Sequence, residues 1–301
     1  MPKIKLQSLQ SYSDAEILYQ SLNNLDVANE ALELDCCQIH FVDASCILAL
    51  LTVSRLWFRW TGHETHLVGL RDNVHEHICR LNLFDLTGET LMDREPLEYE
   101  VQNHFGHVND RRIIPQFIPS HAASNRLVME DVLDAVEESI DVWFNDARLL
   151  RDVSMMLSEL GENIIHSNDY GYLLLQRYRS RDFPGGTRLV IAISDLGIGI
   201  RQSLAHTNFI KVNMTDSDCI ELALQHRVTG TDENRGIGLE EVRRLALQSA
   251  KYTELRIRSG TGVLNIQQNQ VLKDDQLAAI PGVQITLILE GDSGHNFGVW
   301  A

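Results

Sequence analysis

The chain has 301 residues, a length that suits one large domain or two ordinary ones. Hydrophobic residues make up 44% of it and charged residues 23%, which is the composition of a globular protein with ample core material. The formal net charge of -16 argues against nucleic acid and anionic membrane surfaces as partners, because binding to phosphates requires clustered Lys and Arg.

The sequence indicates a cytoplasmic protein. It contains no apolar run of membrane-spanning length, and its first residues lack the apolar core of a signal peptide. The five cysteines are odd in number, and Cys36 and Cys37 are adjacent and do not form a CxxC pair. We therefore expect buried, reduced thiols. His75 and His77 have no partner pair at zinc-finger spacing, and we expect them to be solvated surface residues.

The N-terminal part has the pattern of a small α/β unit. Strands are predicted at residues 31–34, 38–42 and 65–70, because these segments alternate or run apolar. Helices are predicted at residues 44–60 and 73–83, where apolar residues recur at helical spacing.

This order of strand, turn, helix, strand and helix resembles a STAS domain, the fold of anti-sigma-factor antagonists. The resemblance is carried by residues 41–46 (FVDASC), which are similar to that family's Asp-Ser-Ser-Gly phosphorylation turn but depart from it at Ala44 and Cys46. It implies that Ser45 is a phosphoacceptor. The residues themselves leave a second interpretation open, in which Asp43 or Ser45 only caps the helix that follows.

The remainder of the chain is predicted to be a connector followed by a second α/β domain. Prolines interrupt any regular period in the connector, so the predicted divisions are residues 1–95, 96–125 and 126–301. Predicted helices of the second domain span residues 127–144, 153–164 and 238–250, and predicted strands span residues 172–175, 188–193, 254–257 and 284–289. This order favours a mixed sheet with helices on one face, and residues 259–262 are predicted to form a hairpin turn.

Three short motifs follow one another in the second domain. They are residues 158–163 (SELGEN), 194–199 (SDLGIG) and 235–240 (RGIGLE). In this order and spacing they resemble the N, G1 and G2 boxes of the GHKL, or Bergerat-fold, ATP-binding domain. The resemblance covers about residues 125–290 and implies a Bergerat-fold α/β sandwich whose ligands are ATP and Mg²⁺.

The first motif places two polar residues on one face of a predicted helix. Glu159 and Asn163 are four residues apart, so they lie one turn from each other. The resemblance implies that Asn163 is a magnesium ligand, for which an amide oxygen is suited, and that Glu159 is the general base. Without the other motifs, the pattern would favour a second interpretation, in which both are solvated polar residues on the helix surface.

The second motif follows a predicted strand. At its start Asp195 can accept a hydrogen bond but cannot donate one, so it would select the amine of adenine over the carbonyl of guanine. Gly197 and Gly199 would let the backbone approach base and ribose closely. A Rossmann loop does not fit, because Gln202 stands where a third glycine is needed, and no Walker A sequence occurs.

The third motif opens a predicted helix at Gly236 and Gly238, with Leu239 next to them. Free amides at a helix N-terminus form a natural phosphate site, so these residues are assigned to nucleotide binding. Arg235 or Arg227 would meet the phosphates, or either would be a solvated surface charge.

Two further segments complete the resemblance. The polar residues 229–235 resemble an ATP lid, and we expect a mobile segment from about residue 208 to residue 235. Residues 282–286 resemble the last strand of the fold, which implies that Thr286 contacts the adenine.

The combined resemblance implies a bacterial regulatory protein of the anti-sigma serine-kinase type. It would bind Mg-ATP and phosphorylate or control a STAS-type partner, a sigma-factor-like regulator or its own STAS-like part. Two alternatives stay open: a hydrolysing conformational ATPase of the gyrase or chaperone type, and a non-catalytic nucleotide sensor. A homodimer is compatible with all three.

Overall fold

A computed structural model describes most of the chain. The described residues are 1–81, 83–94, 116–118, 134, 147–166, 171–179, 186–205, 207–225, 238–249, 252–268 and 270–291. The chain divides into two compact units, Met1–Asn109 and Asp110–Ala301. The helix expected at residues 127–144 lies, apart from Asp134, outside the described residues.

The first unit contains a four-stranded parallel sheet in the order β1-β2-β3-β4. Its strands are β1 (Lys3–Lys5), β2 (Leu32–Asp35), β3 (Thr65–Val68) and β4 (Leu91–Asp93). Its helices are α1 (Tyr12–Asn23), α2 (Ala44–Thr61), α3 (Asp72–Arg80) and α4 (Leu83–Thr87). Each connection between successive strands contains at least one helix, as crossovers between parallel strands require.

Helix α2 is the centre of this unit. Most of its residues are buried, including Trp57, whose indole Nε1 donates to the carbonyl oxygen of Glu30 at 2.9 Å. The helix ends at Gly62, which adopts the left-handed conformation. Burial on nearly all sides explains the long apolar pattern from which the helix was predicted.

The strand predicted at residues 38–42 is wrong. Strand β2 ends at Asp35, whose carboxylate accepts the amide of Cys37 at 3.1 Å and starts a turn. Beyond the turn, Val42 makes a single bridge to Leu9 and no ladder. The apolar residues of this segment are buried as a loop, because Ile39 and Val42 fill the core without strand pairing.

Two expectations about side chains in this unit need correction. Cys36 and Cys46 are buried, as expected, but Cys37 is exposed. His75 is not a solvated surface residue: it is 3% exposed, and its ring contacts the carboxylate of Asp93. Its position in α3 explains this, since Val74, His75 and Ile78 form the buried side of that helix.

The second unit contains a seven-stranded sheet in the order β10-β9-β8-β11-β7-β6-β5. Its strands are β5 (Gln116–Ile118), β6 (Gly171–Arg179), β7 (Thr187–Asp195), β8 (Tyr252–Gly260), β9 (Gly262–Gln267), β10 (Gln270–Asp274) and β11 (Ile280–Gly291). Its helices are α5 (Ala147–His166), α6 (Gly199–Leu204), α7 (Asp216–Ala223) and α8 (Gly238–Ser249). Strand β5 lies within the segment predicted to be a connector.

The α/β class is confirmed, but the predicted mixed sheet is wrong for the second unit. Every described pairing in this sheet is antiparallel. Strands β8, β9 and β10 follow each other directly through two turns, the first of which is the predicted hairpin turn at Thr261. Short connections of this kind force antiparallel neighbours.

The helices of this unit pack on one face of the sheet, which we call the helix face. Alternate residues of the strands point to it, including Ile191 and Ile193 of β7 and Ile285 and Leu287 of β11. They meet the apolar stripes of α5 and α8 in one core. This stripe in α5 is the one that the sequence pattern predicted: Val153, Met156, Leu157 and Leu160.

Candidate functional site

Asp195 lies at the carboxyl end of β7, where the sheet meets a loop. It is 5% exposed, and its Oδ1 accepts the amide of Gly197 at 2.8 Å. The loop then exposes the side chain of Ile198 before helix α6 begins at Gly199. Asp195 pairs with Gly171 of β6 and stands two residues after Ile193, which belongs to the core under the helices, so Asp195 points to the helix face.

Two glycines let this loop approach the neighbouring strand. Gly199 has a φ of 76°, and a Cβ there would lie 2.9 Å from Ser259 Oγ and 3.2 Å from the Gly282 carbonyl oxygen. Gly282 has a φ of 80°, and a Cβ there would overlap the carbonyl oxygen of Asp195. Only glycine fits both positions without backbone change.

Helix α5 runs towards the Asp195 loop, so that its C-terminus is the end nearer to the loop. Four residues separate His166, the last residue of α5, from Gly171, and Gly171 pairs with Asp195. A connection of this length spans at most about 18 Å, against about 30 Å for the helix. The C-terminal end of α5, towards which Glu159 and Asn163 lie, is therefore at the Asp195 end of the sheet.

Of these two residues, Glu159 is exposed on the surface of α5, next to the buried Leu160. Asn163 lies in the same helix, but its side chain is outside the described residues. The expected alignment of the two residues on one face is consistent with the observed helix, since α5 is continuous from Ala147 to His166.

Helix α8 points its N-terminus to the same end of the sheet. Near its C-terminus, the Ala246 carbonyl accepts the Thr253 hydroxyl at 2.8 Å, and Thr253 pairs with Leu289 at the far end of β11. The helix packs along β8 and β11 and against α5, so Gly238 lies closer to the Asp195 end. Leu239 is half-buried against the core. Arg235 and Gly236, like Arg227, lie outside the described residues.

Thr286 does not join the other candidate residues. It pairs with Ala192 of β7, whereas its neighbours Ile285 and Leu287 belong to the core under the helices. Because side chains alternate along a strand, Thr286 points to the face opposite to Asp195. The expected adenine contact of Thr286 therefore does not fit this geometry.

Part of the segment expected to be a lid is an anchored helix. In α7, Cys219 and Ile220 are fully buried in the core of the unit. Asp216 of α7 accepts the amide and hydroxyl of Thr261 at 2.8 and 2.9 Å and forms an ion pair with Arg201. The rest of the expected lid from residue 226 to residue 235 lies outside the described residues.

The electrostatics of this anchor follow from its partners. Burial by itself raises the pKa of Asp216, but the hydrogen bonds from Thr261 and Arg201 outweigh it and hold the pKa below its usual value. The same ion pair raises the pKa of Arg201. Asp216 is therefore a charged structural group that ties α6 and α7 to the β8–β9 turn.

In the first unit, the Asp43-Ser45 turn has the geometry of a helix cap. Asp43 Oδ1 accepts the amide of Cys46 at 2.9 Å and the hydroxyl of Ser45 at 2.7 Å. Asp43 is in extended conformation directly before α2, as an N-cap residue should be. Ser45 is half-buried in the first turn of α2.

Ser259 and Gly282 are the residues of this site that sequence reasoning did not assign. Gly282 gave a usable signal, because an isolated glycine inside a strand pattern indicates a bulge or a close backbone approach. The strand pairing does shift register between Ile280 and Val283. Ser259 gave no such signal, since serine next to glycine is ordinary in a turn.

No family model matches the chain, and no curated protein is found to be similar to it. Among the residues that the structure describes, no helix combines the length and apolarity that a membrane crossing needs. Within the same residues, no group of three or more His, Cys, Asp or Glu side chains is arranged to hold a metal ion.

Proposed function

We propose that this protein is a bacterial regulatory ATP-binding protein similar to the anti-sigma-factor serine kinases, with a STAS-like first unit and a Bergerat-type second unit. One observation carries the proposal. The Asp195 loop, the C-terminal end of α5 and the N-terminus of α8 lie towards the same end of the sheet, on the helix face. This arrangement supports the assignment of the three motifs to one site.

Asp195 would recognise the base. It is almost fully buried, so an acceptor oxygen there has little water to bind. The exocyclic amine of adenine would donate to this carboxylate, whereas guanine would present a carbonyl oxygen to it. Placing the guanine carbonyl oxygen against the buried carboxylate would oppose two acceptors, which costs more free energy than the loss of one hydrogen bond. The site would therefore select adenine.

The start of α8 would bind the phosphates. This helix is 12 residues long, and its N-terminal amides have no intrahelical acceptors. The aligned peptide dipoles add positive potential at the same place. Gly236 and Gly238 would let the phosphates approach these amides, and Arg235 would supply a full positive charge.

Glu159 and Asn163 would carry the chemistry. Asn163 would hold Mg²⁺ through its amide oxygen, and the ion supplies neutralisation of phosphate charge when it is bound. In a kinase reaction the oxygen of an acceptor serine would form a bond to the γ-phosphorus. The bond from that phosphorus to the oxygen of the leaving ADP would break, and Glu159 would take the serine proton.

The acceptor would be Ser45 or a serine of a separate STAS-type partner. Phosphate on Ser45 would lie in the first turn of α2, where the helix amides favour negative charge. It would also lie next to the carboxylate of Asp43, which would repel it. Phosphorylation of Ser45 would therefore break the hydrogen bond between Ser45 and Asp43 at the start of α2. The first unit would then have a second conformation at this turn.

The test measures products and mass on the same sample. The purified full chain is incubated with Mg-ATP, and ADP and intact mass are measured for the wild type, Glu159→Ala, Ser45→Ala and the control Thr286→Ala. Calorimetry gives ATP affinity in parallel. Added phosphate that is lost in Glu159→Ala supports the kinase, and its loss in Ser45→Ala identifies the acceptor.

Other outcomes separate the alternatives. ADP release without added mass would favour a hydrolysing ATPase, provided that a STAS-type partner added to the mixture stays unmodified as well. Binding without turnover would favour the nucleotide sensor. If calorimetry detects no ATP binding by the wild-type chain, the proposal is wrong in all three forms.

A further inference from the structure

Ser259 lies in the same row of the sheet as Asp195. Ile193 of β7 pairs with Ile285 of β11, and Ile285 in turn pairs with Ile257 of β8. Asp195 and Ser259 each stand two residues further along their strands, so each points to the same face as the isoleucine before it. Residues that pair directly across antiparallel strands point to the same face. Ser259 therefore faces the helices at the same end of the sheet as the Asp195 loop, two strands away.

The Ser259 hydroxyl joins the loop to β11. Its Oγ accepts the amide of Ile200 at 2.9 Å and donates to the carbonyl oxygen of Gly282 at 3.0 Å. Ser259 itself is only 4% exposed. One buried hydroxyl thus holds together the first turn of α6 and the glycine that packs against Asp195.

We propose that Ser259 is a positioning residue for nucleotide binding: it fixes the loop from Asp195 to Ile200 and thereby the carboxylate that selects adenine. This inference rests on the proposed ATP site and deepens it. Without the hydroxyl, the Ile200 amide and the Gly282 carbonyl would both be buried without this partner, which is costly. The loop would have to move to regain hydrogen bonds, and Gly197, the amide partner of Asp195, would move with it.

A second residue of the same turn provides a matched control. The Thr261 hydroxyl donates to Asp216 and makes no hydrogen bond to the loop between Asp195 and Ile200. Its own amide keeps the bond to Asp216 when the hydroxyl is removed. Thr261→Val therefore removes a hydroxyl hydrogen bond from the same turn but leaves the link to Ile200 intact.

The first measurement does not depend on nucleotide. Hydrogen exchange of the ligand-free full chain should show at least tenfold faster exchange of the Ile200 amide in Ser259→Ala, and faster exchange of Gly197. Both amides should keep their wild-type rates in Thr261→Val. The inference is overturned if the Ile200 amide exchanges at the wild-type rate in Ser259→Ala. It is also overturned if Ser259→Ala and Thr261→Val accelerate that exchange equally.

The second measurement is nucleotide affinity by calorimetry with ATP and with GTP. Ser259→Ala should bind ATP at least fivefold more weakly and lose most of the preference for ATP over GTP. Ser259→Thr, which keeps the oxygen, should restore both, and Thr261→Val should stay within twofold of wild type. Thermal melting of each variant checks that the fold is kept.

The two measurements separate two kinds of failure. If the wild type binds no ATP, the proposed function fails, while the exchange rate of Ile200 still decides whether Ser259 holds the loop. If the wild type binds ATP and Ser259→Ala binds it equally well, the site stands and the positioning role of Ser259 is wrong.

Discussion

Gly282 packs so closely against the main chain of Asp195 that a methyl group on Gly282 would overlap the Asp195 carbonyl oxygen. The contact joins the start of β11 to the end of β7, at the point where the strand pairing of β11 shifts register. It fixes the position of the acidic residue on which the proposed adenine recognition depends.

Gly282→Ala should therefore destabilise the second unit by about 2 kcal/mol or more. Alanine disfavours the left-handed backbone angle at this position, and its methyl group would overlap the Asp195 carbonyl oxygen. Gly62→Ala separates these causes, because Gly62 has a similar φ of 76° but open space around its Cβ position. It should cost the first unit only about 1 kcal/mol. Urea unfolding, followed separately for the transition of each unit, gives both values. Equal losses would show that the close approach to Asp195 does not matter.

Asp195→Asn should weaken ATP binding at least tenfold, about 1.4 kcal/mol, because an amide can present its NH₂ group to the adenine amine. Thr286→Ala should leave affinity unchanged, since Thr286 points to the opposite face of the sheet. Calorimetry with both variants decides this. A loss in Thr286→Ala that equals the loss in Asp195→Asn would contradict the assignment of the site to the helix face.

Asp43→Ala should destabilise the first unit by about 1 kcal/mol, because it removes the side chain that accepts the Cys46 amide. Ser45→Ala should cost clearly less, since the Ser45 hydroxyl donates only to Asp43 among the hydrogen bonds described for it. Chemical denaturation of both variants measures the difference. A larger loss in Ser45→Ala would mean that the serine, and not the aspartate, stabilises this turn.

Cysteine alkylation should report the packing of the first unit. Burial raises the pKa of the Cys36 thiol to about 12 and also raises the pKa of Cys46, so neither should react in the folded protein. Cys37 is exposed and should react first, although its hydrogen bond to Asp35 raises its pKa. Peptide mass mapping after iodoacetamide treatment identifies the labelled residues.

Asp35→Asn provides the control for this experiment, because it removes the negative charge that raises the pKa of Cys37 and should speed its labelling. Rapid labelling of Cys36 or Cys46 in the native protein would contradict the packing around α2.

The sequence predicted those elements whose pattern is local. Helix α5 follows from its apolar stripe, and β7 and β11 follow from apolar runs that are long enough to be buried. Strand direction did not follow, because pairing depends on distant partners and not on the strand itself. Strand β10 was missed because all of its residues are exposed, which leaves no apolar pattern.

The candidate site, too, could be predicted only in part from the sequence. Asp195 was placed correctly at the end of a strand, since glycines after an apolar run indicate a turn. Ser259 matters through the register of three strands, which no local pattern contains, whereas Gly282 could have been found as an isolated glycine inside a strand. The face of Thr286 could have been foreseen, because Ile285, Leu287 and Leu289 alternate with it and mark the buried side.

Acid should destabilise the second unit in part through Asp216. Burial raises its pKa, but the hydrogen bonds from Thr261 and Arg201 lower it more, so the folded pKa lies below the usual 3.8. A carboxylate of this kind stabilises the fold above its unfolded pKa, and this contribution is lost as the pH falls through the folded pKa. The unfolding free energy should therefore decrease between about pH 5 and about pH 3.

Asp216→Asn should be less stable than wild type at about pH 5, and this difference should be smaller at about pH 3, because the contribution of a carboxylate with a lowered pKa is lost as the pH falls. The comparison isolates Asp216 from other acid-sensitive groups, such as Asp218, whose hydrogen bond from Lys273 lowers its pKa to about 2. Urea unfolding of the second unit at both pH values is the measurement, with Asp26→Asn, a change at an exposed position of the first unit, as the control. A difference between Asp216→Asn and wild type that stays constant with pH would show that the ion pair with Arg201 and the bonds from Thr261 do not depend on the charge of Asp216.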